Sequence, residues 1–228
     1  MASTATFGTA LLVTGAESLL AERAVTAFIE AALAERPDAL VTRLSAAQLD
    51  AGGLAEAAGG SLFADASVVV VDDLSNVPAD AADPVLAVAS HPGPDLALVL
   101  VHPGGVKGKA LLDKVRAIRP AIVDCPPVKS WDLPQFAAAE ARRAGGRLEP
   151  AAAGALVDAV GSDLRALAAA IRQLLDDTED RVVKVADVRR YFGGRAEVTS
   201  FAVAEDALSG RTEGALGKLR WAVSTGVA

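Results

Sequence analysis

The sequence predicts an α/β domain with a five-stranded parallel sheet, followed by a small helical domain and the first helices of a third domain. Short apolar runs alternate with helical stretches over the first 125 residues, and no comparable apolar run follows them. Two amphipathic stretches near the end complete the pattern. The chain of 228 residues is long enough for one large or two modest domains. The predicted domains span residues 1–129, 130–196 and 197–228.

Five runs rich in Val and Leu predict the strands of the sheet. They show little polar alternation, which is typical of strands buried on both faces. The predicted strands are 10–14, 39–44, 67–72, 96–101 and 121–124, and the helical stretches between them are 18–36, 54–62, 79–90 and 109–118. Alternation of strands and helices indicates a parallel sheet wrapped by helices.

The remainder of the chain predicts helices only. Cys125-Pro126-Pro127 forms a stiff break, and Ser130 or Asp132 can cap the helix that follows. Four helices are predicted in the second domain. The first ends at Arg143, and the others span 149–160, 163–176 and 186–192. Two amphipathic helices are predicted at 200–208 and 213–224. Because two helices alone cannot bury both of their apolar faces, we expect them to be the first helices of a third domain. The alternative is a chain end packed on the second domain.

Composition excludes several classes of protein. The first 73 residues carry three arginines against ten acids, which disfavours strong DNA binding by this chain alone. One cysteine and two histidines exclude an internal disulfide and make a zinc cluster unexpected. No apolar run approaches the roughly 18 residues that span a bilayer, and the first eight residues lack the basic start of a secretory signal. We expect a soluble, cytoplasmic protein without a metal or cofactor.

The turn after the first predicted strand is where a phosphate-binding loop would lie. Its residues Gly15, Ala16, Glu17 and Ser18 offer one glycine and no lysine. Glu17 places an anion where phosphates would sit, although a carboxylate near a helix start also stabilises that helix. We therefore predict a degenerate loop that cannot hold a triphosphate.

Two other features imitate parts of a nucleotide site. A Gly-Lys loop covers residues 103–110, but Pro103 and Ala110 replace the required Gly and Ser or Thr. We interpret it as a flexible basic loop. Asp72 and Asp73 end a predicted strand and could hold Mg²⁺, but acids commonly end buried strands and no phosphate cradle is nearby.

No catalytic constellation is apparent. Neither His91 nor His102 has a Ser or Cys partner in the sequence, and the Gly-x-Ser-x-Gly elbow and the dinucleotide fingerprint are missing.

The segment GGSLFAD at 59–65 places Leu62 and Phe63 at a helix end. Composition alone favours core packing for this pair, but an exposed Leu-Phe pair is also a compact anchor for a partner's pocket.

The order of these features resembles the delta-subunit family of bacterial DNA polymerase III, the clamp-loader subunit that opens the β sliding clamp. The matching stretches are 11–20 (LLVTGAESLL), 60–74 (GSLFADASVVVVDDL), 98–112, 161–175 (GSDLRALAAAIRQLL) and 200–221 (SFAVAEDALSGRTEGALGKLRW). The resemblance implies an AAA+-like α/β domain, a helical lid and the start of a helical collar that is cut short here. It also implies no working nucleotide site. His102 stands near the sensor position at the end of the fourth strand with no phosphate to sense, and Arg165, in the lid motif that senses nucleotide in active relatives, is expected to be structural.

The same resemblance implies a mechanism and partners. Ser61, Leu62 and Phe63 are expected to contact the sliding clamp, and the other loader subunits (tau/gamma and delta prime) to bind mainly through the collar. ATP hydrolysis is expected in those partners, and DNA contact only within the assembled loader. Two alternatives remain open: an ATP-dependent AAA+ clamp-loader motor or related P-loop NTPase with a degenerate site, and a Rossmann-like enzyme with an unrecognised ligand.

Overall fold

The computed structural model describes residues 6–50, 52–59, 64–192 and 206–225. The chain divides into two compact units, Met1–Pro127 and Val128–Ala228. The predicted boundary lay after residue 129. The predicted third domain from residue 197 stays a prediction, because residues 193–205 lie outside the described ranges.

The first unit contains the five-stranded parallel sheet that the sequence predicts. Its strands, in chain order, are β1 (Thr9–Thr14), β2 (Leu40–Ser45), β3 (Ser67–Asp72), β4 (Leu96–His102) and β5 (Ala121–Asp124). Their spatial order is β2-β3-β4-β1-β5. Thr14 lies opposite both His102 and Asp124 in register, so the carboxyl ends of three strands meet at one edge.

Four helices connect these strands. They are α1 (Ser18–Glu35), α2 (Gly53–Ala58), α3 (Ala82–Ser90) and α4 (Lys109–Ala117). The prediction extended α2 to residue 62, but the helix ends at Ala58, where the N–H of Gly59 bonds the carbonyl of Glu56. It also began α3 at residue 79. The helix starts one turn later because Ala81 N–H first closes a tight turn on the carbonyl of Pro78.

The core lies on both faces of the central strands. Leu12, Val69 and Leu98 pack towards α3 and α4, while Val13 and Val99 pack towards α1. The expectation that every strand is buried on both faces is wrong for the two edges. All four residues of β5 are exposed, and β2 is exposed or half-buried along its length, because an edge strand lacks a neighbour on one side.

The second unit is mainly helical. Its helices are α5 (Leu133–Arg143), α6 (Pro150–Val160), α7 (Leu164–Asp176), α8 (Val185–Phe192) and α9 (Thr212–Thr225). Of the predicted helix at 200–208, residues 206–208 are described and helical. The described helices include none that is long and apolar enough to cross a membrane.

The second unit also contains a small parallel strand pair that the sequence analysis missed. Strand β6 (Arg147–Leu148) pairs with β7 (Val182–Val183). Gly146 permits this approach, because a Cβ atom there would lie 2.7 Å from the carbonyl oxygen of Arg181 and 2.3 Å from a methyl carbon of Leu175. The prediction of an entirely helical unit is therefore corrected.

Candidate functional site

The candidate site is the edge of the sheet where β1, β3 and β4 end. Ligands of open α/β sheets bind outside the carboxyl ends of the strands. The turn after β1, the acids after β3 and the histidine that ends β4 all lie at this edge. The sequence analysis predicted a degenerate nucleotide site at this place.

The turn after β1 is closed by backbone hydrogen bonds. Gly15 N–H donates to the carbonyl oxygen of His102 at 3.0 Å, and Glu17 N–H donates to that of Cys125 at 3.0 Å. Gly15 has φ 143°, and a Cβ atom there would lie 2.0 Å from the Cys125 oxygen. A phosphate-binding loop turns its N–H groups towards the ligand. In this turn, the N–H groups of Gly15 and Glu17 already donate to backbone carbonyl oxygens at the ends of the neighbouring strands.

The remaining residues of the turn form the start of α1. Ser18 is its first residue, Ala16 is exposed, and Glu17 is the N-cap. The Glu17 carboxylate accepts the N–H of Leu19 at 3.3 Å. An anionic side chain therefore occupies the helix N-terminus, where a phosphate would otherwise be stabilised. The sequence analysis gave Glu17 this stabilising role.

The first of the two acids after β3 is held by an arginine. Arg43, on β2, donates to both carboxylate oxygens of Asp72, at 2.9 Å from Nε and 2.8 Å from a terminal nitrogen. The hydrogen bond to Asp72 raises the pKa of Arg43 above its ordinary value. Such a bidentate pair uses the same carboxylate oxygens that a divalent cation would need.

The second acid is held by the turn that follows it. Asp73 has φ 56°, and its carboxylate accepts the Ser75 hydroxyl at 2.5 Å and the side-chain amide of Asn76. Lys107 in turn donates to the amide oxygen of Asn76. The hydrogen bond from Ser75 is the main cause that lowers the pKa of Asp73. Among the described residues, no group of three or more His, Cys, Asp or Glu could hold a metal ion.

His102 is fully buried beneath the loop that follows β4. Its Nδ1 accepts the N–H of Gly104 at 2.9 Å, while its Nε2 has no hydrogen-bond partner among the described residues. A Cβ atom on Gly108 would lie 3.2 Å from Nε2. Burial lowers the pKa of His102 below 6.5. The loop expected to be flexible therefore folds over this histidine, with positive φ at Gly104, Gly105 and Gly108.

Comparisons with known proteins were made by sequence and by structure. No family model matches the chain, and no curated protein matches it in sequence. The structure is similar to the Bacillus subtilis DNA clamp loader delta protein (YqeN), with a TM-score of 0.63, 13% identity, and coverage of 96% of this chain and 68% of that one.

Two further solved structures share the architecture. The Thermotoga maritima RuvB Holliday junction branch migration motor matches with a TM-score of 0.50 and 12% identity, over 98% of this chain and 76% of that one. Domain III of the Thermotoga maritima replication initiation protein DnaA matches with a TM-score of 0.50 and 14% identity, over 83% and 85%. The chain has an AAA+-like fold. At these identities the likeness establishes the fold and nothing finer.

The sequence predicts a clamp contact at residues 61–63. Ser61, Leu62 and Phe63 fall outside the described residues, so their role stays a prediction. A cleft of about 660 Å³, lined by residues 36–39 and 64–66, lies at the amino ends of β2 and β3 of the AAA+-like sheet. Residue 64, which immediately follows the predicted segment in the sequence, lines this cleft.

Arg165 lies at the start of α7, in the second unit. Its N–H and that of Ala166 bond the carboxylate of Asp163, at 2.8 and 2.9 Å, so Asp163 is the N-cap of α7. The structural role that the sequence analysis assigned to the Arg165 side chain stays a prediction.

Proposed function

We propose that this chain is a delta-type clamp-loader subunit of the bacterial replicative DNA polymerase III. It binds a sliding clamp and opens it for loading onto primed DNA, and it has no ATPase activity of its own. One observation carries the proposal. Internal hydrogen bonds occupy the sheet edge where a nucleotide would bind, in an AAA+-like fold that resembles a clamp loader delta protein.

The filled edge supports the absence of ATPase activity in two ways. Gly15 and Glu17 have already used the N–H groups that would cradle phosphates, and the turn has no lysine. Asp72 and Asp73 have already used their carboxylate oxygens. Nucleotide binding would have to break these bonds and bring phosphates beside the Glu17 carboxylate. This cost has no compensating cation in the turn.

The proposed clamp contact is the segment Ser61, Leu62 and Phe63. Helix α2 ends at Ala58 and β3 begins at Ser67, so the pair lies between these two elements in the sequence. An apolar pair on a connection can enter a partner's pocket without disturbing the sheet. If this contact fits the open clamp better than the closed one, binding energy shifts the clamp towards the open state.

The other partners follow from the same proposal. The chain acts within a clamp-loader complex, and its residues 197–228 contribute to contacts with the tau/gamma and delta prime subunits. Those subunits supply ATP hydrolysis. Primed DNA is engaged by the assembled loader.

A second candidate is an ATP-dependent AAA+ protein with a degenerate turn. The similarity of the fold to RuvB and to domain III of DnaA favours it. The two candidates differ in one measurable property, because an ATP-dependent protein must bind nucleotide. Saturable binding of MgATP to the wild-type chain would revive this candidate.

The test is calorimetric titration of the chain with a purified bacterial sliding clamp. Wild type should bind, and the Leu62→Ala/Phe63→Ala variant should lose at least about 100-fold in affinity, as expected when two central anchors are removed. The matched control is Val106→Ala/Leu208→Ala, which shortens two apolar side chains that are 88% and 90% exposed elsewhere. The control should bind as wild type does.

Absence of binding at tens of micromolar by a folded wild-type chain would overturn the proposed function. Equal losses in the double variant and in the control would overturn the contact but leave clamp binding in place.

A further inference from the structure

Four arginines come together at the carboxyl end of α5. Arg142 and Arg143 lie in the last turn of the helix, and Arg147 begins β6. Arg181 is brought beside them by the strand pair, because Arg147 N–H donates to the Arg181 carbonyl at 2.8 Å. All four arginines are exposed, and Arg181 lies more than 30 positions after the other three in the sequence.

Arg181 has a structural role that accounts for its charge. Its guanidinium donates to the carbonyl oxygens of Ala144 at 2.8 Å and Gly145 at 3.3 Å, which are left unpaired as α5 ends. It also lies 3.4 Å from a carboxylate oxygen of Asp176. This side chain therefore caps the helix and holds the loop that joins Arg142 and Arg143 to Arg147.

The three remaining arginines are differently placed. Within the part of the chain that the structure describes, no ion pair or side-chain hydrogen bond is formed by Arg142, Arg143 or Arg147. Residues 141–148 (ARRAGGRL) contain three arginines and no acid. The neighbouring acids are Glu140, which is buried on α5, Glu149, the N-cap of α6, and Asp176, which already pairs with Arg181. Three further acids precede Arg181: Asp177, which accepts the Tyr191 hydroxyl, Asp180, which pairs with Lys184, and Glu179. The dipole of α5 stabilises cations near its C-terminus, but it leaves the N–H donors of these guanidinium groups available to a ligand.

We propose that the arginine cluster, defined as Arg142, Arg143 and Arg147, binds the phosphate backbone of duplex DNA. Each guanidinium presents a planar fork of donors that matches phosphate oxygens, and such contacts are independent of base sequence. The loop between them consists of Ala144, Gly145 and Gly146, whose small size lets a phosphate backbone approach closely.

The composition of the cluster favours phosphate over an acidic protein surface. Interfaces between proteins usually gain their affinity from buried aromatic or aliphatic anchors. Among the described residues, the exposed large hydrophobic side chains lie outside 141–148. Gly146 lies close to Leu175 and to the backbone of Arg181, which keeps the loop near β7. A cationic surface without an apolar anchor is suited to phosphate.

The net charge of the chain sets the expected strength of this contact. Residues 1–127 carry the whole net charge of −7, and residues 128–228 are neutral. Binding by the isolated chain is therefore weak and strongly dependent on salt. The inference extends the proposed function by locating a DNA contact, but it does not require the clamp and is tested without it.

The experiment measures fluorescence anisotropy of a labelled 30-base-pair duplex titrated with the full chain at several salt concentrations. The test variant is Arg142→Gln/Arg143→Gln/Arg147→Gln. The matched control is Arg119→Gln/Arg172→Gln/Arg189→Gln, which removes the same charge from three exposed arginines outside the cluster. Thermal unfolding of each variant confirms that it is folded.

The wild-type chain should bind the duplex at low salt irrespective of its sequence. The test variant should lose at least about tenfold in affinity, and the slope of log K against log salt should become shallower by about two to three, because each lost phosphate contact removes roughly 0.9. The control should change both quantities by less than half as much.

Three results would overturn the inference. One is the absence of duplex binding by wild type at low salt. A second is an equal loss in the test variant and the control, which would indicate a general effect of net charge. The third is unchanged DNA binding by the test variant together with weakened clamp binding, which would assign the cluster to an acidic protein surface. Failure of clamp binding alone would leave the inference intact.

Discussion

Arg43 holds both carboxylate oxygens of Asp72, at 2.9 and 2.8 Å, across the neighbouring strands β2 and β3. Ser45 lies opposite Asp72 in register, so the arginine reaches its partner diagonally from two residues earlier on β2. The Arg43 guanidinium therefore occupies the carboxylate oxygens with which Asp72 would bind a metal ion. It also neutralises the charge of Asp72, the first of the two acids at the end of β3.

Removing Arg43 should not create a magnesium site. We expect Arg43→Gln to lower the free energy of unfolding by less than about 1 kcal/mol, because both side chains are substantially exposed and exposed ion pairs contribute little. Asp73 stays bonded to Ser75 and Asn76, so MgATP should not raise the melting temperature of the variant. Thermal unfolding with and without MgATP measures both effects, and a clear stabilisation of the variant by MgATP would contradict this account.

Gly15 should be among the least replaceable residues of the first unit. Gly15→Ala combines φ 143° with a Cβ atom 2.0 Å from the Cys125 oxygen, so we expect a loss of at least about 3 kcal/mol in unfolding free energy. The control is Gly93→Ala, where a Cβ atom meets nothing within 4 Å and the change should stay within about 0.5 kcal/mol. Chemical denaturation of both variants measures the difference, and similar values would show that the turn can open.

His102 should make the first unit less stable in mild acid. Burial lowers its pKa below 6.5 in the folded state, so the unfolded chain takes up the proton first as the pH falls. The contribution is present at pH 7 and is lost as the pH falls from about 6.5 towards the lower folded-state pKa. Asp73, whose pKa is also lowered, adds a loss at more acidic pH.

Denaturation curves between pH 7.5 and pH 5 test the role of His102. The His102→Gln variant should be less stable at pH 7 because its site is closely packed, but its stability should fall less over this interval than that of wild type. His91→Gln, at an exposed position, is the control and should keep the wild-type decline. An unchanged pH dependence in His102→Gln would contradict the assignment.

Asp206 should fix the start of the last described helix. Its carboxylate pairs with Arg211 at 2.7 Å and Lys218 at 2.8 Å, and the hydrogen bond from Lys218 is the main cause that lowers its pKa. We expect Asp206→Asn to speed amide hydrogen exchange in α9 without affecting α5 to α7. Exchange rates that do not change in α9 would indicate that apolar packing alone holds this helix.

The sheet was predictable because its central strands are unambiguous in sequence. The run Val68 to Val71 is short, apolar and β-branched throughout, which favours a strand buried on both faces, and the structure confirms that strand. The absence of a lysine from the turn after β1 predicts a degenerate site, which stays a prediction until nucleotide binding is measured. These features are local, and they depend on residue type and short-range periodicity.

The missed features depend on contacts between distant parts of the chain. The pair β6–β7 has two residues per strand, which is too short for a periodic signal, and it forms because Gly146 lets residue 181 approach. The ion pair of Arg43 with Asp72 and the burial of His102 depend on strand register. No pattern within one segment could predict them.

The most direct test of the proposed function is titration of the wild-type chain with a purified sliding clamp, with and without MgATP. Because the nucleotide edge is filled by the protein's own hydrogen bonds, we predict saturable clamp binding with the same affinity under both conditions. Binding that requires MgATP, or no binding by the folded chain under either condition, would contradict a delta-type subunit.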